Sequence, residues 1–290
     1  MWHPWHPDPV VNAEALGALA LYFWLYRRSL DDRGRARWPV GRALAFAAGV
    51  LVVVLALESP LDELADVLFF AHMLQHMLLL VVAPPVLLLG LPAKAMLRAL
   101  PARFRRGVVR PAARSRVAHR VGSFLVAPAT VFVYFNAALA LWHVPGIFAT
   151  ALTMPLLHVA EHASFLTAGC LLWWVIVEPL RVWPKDADLP KIAFVVVCHL
   201  PMLLLGQLFL AFTSVTPYVV ASDTTRMLWG LTALSDQRIG GAIMFGLDMA
   251  VTFVTVSVLF GRYLVRLERR QLVLDEALAA GTSSRGSNLR

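Results

Sequence analysis

The stretch from Val67 to Gly90, VLFFAHMLQHMLLLVVAPPVLLLG, decides the fold class. About 20 predominantly apolar residues cross a bilayer as a helix, and this run is long enough. Six more stretches of the same kind flank it, near 10–27, 41–58, 123–143, 155–177, 191–213 and 240–263. The first is the weakest, because Asn12 and Glu14 shorten its apolar part. The sequence therefore predicts an all-α polytopic membrane protein with seven transmembrane helices. Composition agrees. Of 290 residues, 59% are hydrophobic and 15% charged, with a mean hydropathy of +0.69. A soluble domain is about 45–50% apolar and about 25% charged, and could not hide this much apolar surface.

Lys and Arg fall on alternate connections. Between 27 and 42 lie Arg27, Arg28, Arg33, Arg35, Arg37 and Arg42. Between 94 and 120 lie Lys94, Arg98, Arg103, Arg105, Arg106, Arg110, Arg114, Arg116 and Arg120. Arg181, Lys185 and Lys191 follow, then Arg262, Arg266, Arg269, Arg270, Arg285 and Arg290 at the C-terminal end. These are 24 of the 26 basic residues; the other connections hold only Arg226 and Arg238. The positive-inside rule then puts the N-terminus outside and the C-terminus inside. It also accounts for the net charge of +8 with no nucleic acid as partner.

Residues 1–9 read as a short outer tail, retained because they lack the basic start of a signal peptide. Residues 10–265 read as the transmembrane domain and 266–290 as a cytoplasmic tail. Its Ser- and Gly-rich end, Gly281–Arg290, is expected to be disordered. The inner 92–122 loop resembles a basic surface helix suited to anionic lipid. The outer 214–239 connection, with Tyr218, Trp229 and Leu231, could lie along the interface. Two cysteines, Cys170 and Cys198, exclude a disulfide-stapled fold.

Ionisable residues inside a membrane are costly, and so are functional candidates. Span three carries His72-Met73-Leu74-Gln75-His76 and span five His158-Val159-Ala160-Glu161-His162. Residues four apart share a helix face, so each pair can aim two imidazoles at one place. Both pairs lie near the outer ends of their spans, in the outer half of the bilayer. Imidazole suits copper, zinc and iron. Four at one depth predict a metal site, with Gln75 and Glu161 as supporting partners or an extra ligand. The alternative is hydrogen-bonded core histidines.

Weaker candidates follow. His143 ends span four and could join the site or cap the interface. Cys198, His199 and Met202 offer soft ligands in the inner half of span six, though Cys and Met are also ordinary packing residues. Asp248 lies mid-span in the seventh stretch, where a hydroxyl such as Thr252 could be its partner. Met1-Trp2-His3 could form a square-planar nitrogen site for cupric copper. Pro84-Pro85 and Pro201 predict kinks.

Three runs carry a family resemblance: His72–Pro92 (HMLQHMLLLVVAPPVLLLGLP), Leu141–Trp174 (LWHVPGIFATALTMPLLHVAEHASFLTAGCLLWW) and Ser235–Phe245 (SDQRIGGAIMF). They resemble the multi-spanning cytochrome c oxidase assembly factors called CtaG, over roughly residues 60–265, with Phe245 where a Trp is expected. The resemblance implies a multi-pass protein of the bacterial plasma membrane, not an enzyme, that helps mature an aa-type haem-copper oxidase. It implies copper as cofactor, an oxidase subunit as partner and a periplasmic copper chaperone as a source. His72, His76, His158 and His162 become candidate copper residues, and Asp236 and Gln237 an outer-loop motif. Two other functions stay open. H-x-x-E-H also matches a zinc hydrolase pattern with Glu161 as base, and paired helical histidines can ligate haem in a quinol electron-transfer protein.

Overall fold

The computed structural model describes residues 8–31, 34, 37–180, 182–184, 187–214 and 230–287, with side chains as far as 276. It is all-helical, with no strand among the described residues. We label seven helices: α1 Pro9–Arg28, α2 Val40–Glu58, α3 Phe69–Gly90, α4 Pro128–Trp142, α5 Pro155–Val177, α6 Asp188–Ala211 and α7 Ala233–Ser287. Short helices fill the connections, among them Pro60–Ala65 before α3, Arg116–Leu125 before α4 and Pro145–Thr153 after it.

Among the described residues, five helices are long and apolar enough to cross a membrane: α2, α3, α5, α6 and the 233–276 part of α7. A sixth is reached if Arg116–Leu125 and α4, bent by 52°, form one span. The stretch expected to span from 123 therefore divides, and α4 begins only at Pro128. The residue before a proline is pushed out of helical geometry, and Ala127 has φ −65° and ψ 133°. The first expected span does form a helix, but it is not among the five, which fits the dilution of its apolar run by Asn12 and Glu14. It is tied to the bundle by Tyr22, which stacks on Phe46 at 4.3 Å and donates to the Gly90 carbonyl at 2.8 Å.

The C-terminal end departs from expectation. The backbone of α7 is helical to Ser287, into the segment expected to be disordered. Residues 264–280 are rich in Leu, Arg, Glu and Ala, and an established helix propagates readily through such residues.

Helix α3 is central, packing against α2, α5 and α7. Pro84 and Pro85 have no N–H for the carbonyls of Leu80 and Val81. The backbone of Leu78–Val82 widens there into a π-helical turn. Helix α5 crosses at this turn through Gly169, where a Cβ would lie 2.3 Å from the Leu80 oxygen and 2.6 Å from Pro84 Cγ. No residue with a side chain permits this approach, so Gly169 sets the α3–α5 separation two turns below His162. Helices α6 and α7 meet likewise at Gly206 and Gly241, where a Cβ on Gly241 would lie 2.8 Å from the Gly206 oxygen.

At the opposite end of α5, Glu178 adopts the left-handed conformation with φ 51°. Its carboxylate accepts from the Val182 and Trp183 N–H groups at 2.9 and 2.7 Å and pairs with Lys191 of α6. Burial raises this carboxyl, but the Lys191 and backbone hydrogen bonds outweigh it and hold the group below the usual glutamate range. These bonds stitch the α5–α6 turn.

Candidate metal centre

Helix α3 has no side-chain cap of its own at Leu68. The cap comes from α7: Asp236 Oδ2 accepts from the Phe69 N–H at 3.1 Å, and Oδ1 from the Phe70 N–H at 2.9 Å. A carboxylate here satisfies two of the unpaired donors at a helix start and faces the positive end of the helix dipole. The neighbouring Gln237 reaches the carbonyls of Phe209 and Ser214 at 3.5 and 3.4 Å. The Asp236-Gln237 pair therefore ties the start of α3 to the end of α6, one turn before the first histidine.

The two H-x-x-x-H pairs meet. Helices α3 and α5 are neighbours, and the His72 and His158 rings stack with centroids 5.7 Å apart and planes 7° apart. His76 lies 5.5 Å from His162. Within each helix, His72–His76 and His158–His162 are 4.1 and 4.3 Å apart. The four rings thus leave room between them for an ion rather than a macrocycle, which counts against haem. His72 and His76 are buried, while His158 and His162 are partly exposed.

Gln75 and Glu161 hold equivalent positions in the two motifs but act differently. Gln75 turns towards α2, where its amide donates to the Ala56 carbonyl at 2.8 Å and to Asp62 at 2.6 Å. These two bonds anchor α3 to the segment before it, while the Gln75 Oε1 is buried with no hydrogen-bond partner. Glu161 turns towards α3. It is completely buried, and its Oε1 lies 3.6 Å from His76 Nε2. One ligand atom each from His72, His76 and Glu161 lie within 4.8 Å of one another. Both ring nitrogens of His72 and of His76, Nε2 of His158 and His162, and both Glu161 oxygens are buried with no hydrogen-bond partner. Each such atom costs about 1–3 kcal/mol when left unmade. A donor set of imidazoles and a carboxylate, stripped of other partners, fits a bound transition-metal cation.

Of the remaining candidates, His143 lies within electrostatic reach of both His72 and His76. His143 contacts its own helix, Nδ1 meeting the Leu139 carbonyl at 2.8 Å, and its ring lies 6.4 Å from Phe209. Cys198 and Met202 are packed in the apolar core. The buried partner of Asp248 is His199, whose Nδ1 lies 2.5 Å from Oδ1, and not Thr252. The hydroxyl of Thr252 is itself unpartnered. Met1–His3, Tyr218 and Trp229 fall outside the described residues. Reading the residues alone did not single out Asp66, just before α3. Its side chain reaches solvent, yet surrounding protein raises its carboxyl above the usual range, opposed by the charge of nearby His158. The acidic run Asp62-Glu63-Asp66 was the available signal.

These features define a class: an all-helical bundle with several helices able to span a membrane and a buried cluster of histidine and glutamate held between two of them. More particularly, the chain belongs to the family of cytochrome c oxidase caa3 assembly factors, whose pattern matches residues 20–265. It is 28% identical over 259 residues to an uncharacterised protein of Mycobacterium bovis, covering 87% of this chain and 38% of that one. It is 26% identical over 284 residues to an uncharacterised protein of Mycobacterium leprae, covering 96% and 42%. The chain thus spans about two-fifths of the length of these relatives. No solved structure matches it.

Proposed function

We propose that this protein binds copper as cargo between α3 and α5 and helps its insertion into a haem-copper cytochrome c oxidase. In this reading it lies in the bacterial plasma membrane with seven spans, the N-terminus outside, the C-terminus inside and the histidines in the outer half. The observation that carries it is the cluster of unpartnered imidazole nitrogens and the Glu161 carboxylate on two adjacent helices. His72, His76 and Glu161 form the buried core of the site. His158 and His162 lie on its more open side, suited to receiving and releasing an ion. Imidazole with carboxylate suits cupric copper and zinc alike; assembly of an oxidase with a copper centre favours copper. A periplasmic copper chaperone is the proposed donor, and an oxidase subunit the acceptor.

A second reading rests on the same cluster. H-x-x-E-H is also a zinc hydrolase pattern, in which histidines hold the metal and Glu161 would act as general base beside it. Metal analysis of the purified protein separates the two readings, since the first expects copper and the second zinc. Under the first, His72→Ala with His76→Ala, or His158→Ala with His162→Ala, removes bound copper while the protein still inserts. Cells lacking the protein make oxidase polypeptides deficient in copper. Full copper content in either double variant would overturn the assignment of that pair.

A further inference from the structure

The helix Arg116–Leu125 has no buried residue. Ser115 caps it, its hydroxyl accepting from the Ala118 N–H at 3.2 Å. Isolated helices this short are marginal in water, so something must cover it. Its residues divide cleanly at helical spacing. Val117, Val121, Phe124 and Leu125 occupy one arc and are 72, 51, 64 and 48% exposed. Arg116, His119, Arg120 and Ser123 occupy the other, with Ser123 Oγ 3.4 Å from His119 Nδ1.

The helix is joined to α4 through Val126 and Ala127 at a bend of 52°. Helix α4 has 15 residues, about 22 Å at ~1.5 Å per residue, which is short of the ~30 Å hydrocarbon core. The bent pair can then be a broken span, with Arg116 and Arg120 drawn into hydrocarbon. Alternatively the first helix lies along the surface, and only Phe124–Ala127 help α4 to cross. The clean division of its faces favours the surface. A segment buried in lipid would be apolar all round, whereas one lying at the interface needs one apolar and one basic face.

We propose that Arg116–Leu125 lies in the interface on the basic side of the membrane and binds anionic phospholipid headgroups. Val117, Val121, Phe124 and Leu125 face the acyl chains. Arg116 and Arg120 meet the headgroups, with Arg110 and Arg114 just upstream. The occupant is anionic lipid because of charge: residues 92–122 contain nine Lys or Arg and no Asp or Glu. The segment itself therefore offers nothing to neutralise them.

The test uses the full chain in nanodiscs of phosphatidylcholine, with and without phosphatidylglycerol. Val121→Cys and His119→Cys are labelled with a membrane-impermeant maleimide, and the parent chain reports the background from Cys170 and Cys198. Each arginine at an anionic surface multiplies partitioning about fivefold, so Arg116 and Arg120 together contribute about 25-fold. Val121→Cys should label about tenfold or more slowly in the anionic discs, while His119→Cys stays open in both. Arg116→Glu with Arg120→Glu should expose Val121→Cys, and high salt should do the same without those changes. Equal labelling at both positions in anionic discs would overturn the proposal. Protection at both positions would indicate a broken span instead. Protection of Val121→Cys indifferent to lipid charge and salt, or persisting in detergent, would overturn the anionic-lipid assignment.

Discussion

Replacing Glu161 with Gln tests the proposed metal centre most directly, because it changes a charge and almost nothing in shape. Three ligand atoms within 4.8 Å of one another hold a central ion at most about 2.8 Å from each. At an effective dielectric of ~20, a unit charge pair at that distance interacts by ~6 kcal/mol. Glutamine keeps a carbonyl dipole on the ion and no longer has to be desolvated as a carboxylate. If about half of the interaction is lost, ~3 kcal/mol, the affinity falls about 100-fold. The metal-free protein should respond the other way. Neither Glu161 oxygen has a hydrogen-bond partner, and Oε1 has only the 3.6 Å contact with His76, so the amide should leave the empty bundle no less stable than the parent. Competition against chelators of known affinity, with cuprous and cupric copper, measures the first effect; thermal unfolding of the metal-free protein measures the second. Affinity within twofold of the parent would refute a ligand role for Glu161. Intact copper affinity with lost function, not rescued by excess copper, would instead point to hydrolytic chemistry.

Asp236→Ala should uncap α3 and cost about 0.5–2 kcal/mol of stability, seen as a lowered melting temperature; Asp236→Asn should recover part of it. For topology, a cysteine at Ser222 should react with an impermeant reagent in intact cells and one at Ser115 should not, the reverse pattern sinking the orientation. Glu178 has a depressed carboxyl, so its contribution is fully present above the ordinary glutamate value. It is lost as pH falls through the lowered folded value. Glu178→Gln should therefore lower the melting temperature most at neutral pH, with the parent and variant curves converging as the pH falls.

The two histidine pairs were legible because helical periodicity is local: four residues apart is one face, whatever the rest of the chain does. That the pairs meet depends on Gly169 lying against the π turn at Leu78–Val82, a contact between distant segments. The divergence of Gln75 and Glu161 was hidden for a related reason. The two occupy the same position in their motifs, and only the Ala56 carbonyl and Asp62 near Gln75 separate their roles. Asp248 was recognised as too costly to be idle. Its match with His199 links α7 to α6, which a reading along one helix cannot supply. The bend before α4 was missed because hydropathy is blind to backbone geometry, although Pro128 was there to read.

The cap on α3 also constrains the order in which the molecule can be made. Asp236 lies 167 residues after Phe69, whose amide it receives. At about 5–20 residues per second, the helix bearing His72 and His76 leaves the ribosome roughly ten to thirty seconds before its cap exists. During that interval α3 starts with unpaired donors. The start of α3 is therefore capped only once α7 has docked, and a nascent chain stalled before Asp236 carries His72 and His76 on an uncapped helix. In the copper-carrying role proposed above, this late capping would restrict capture to chains synthesised through α7.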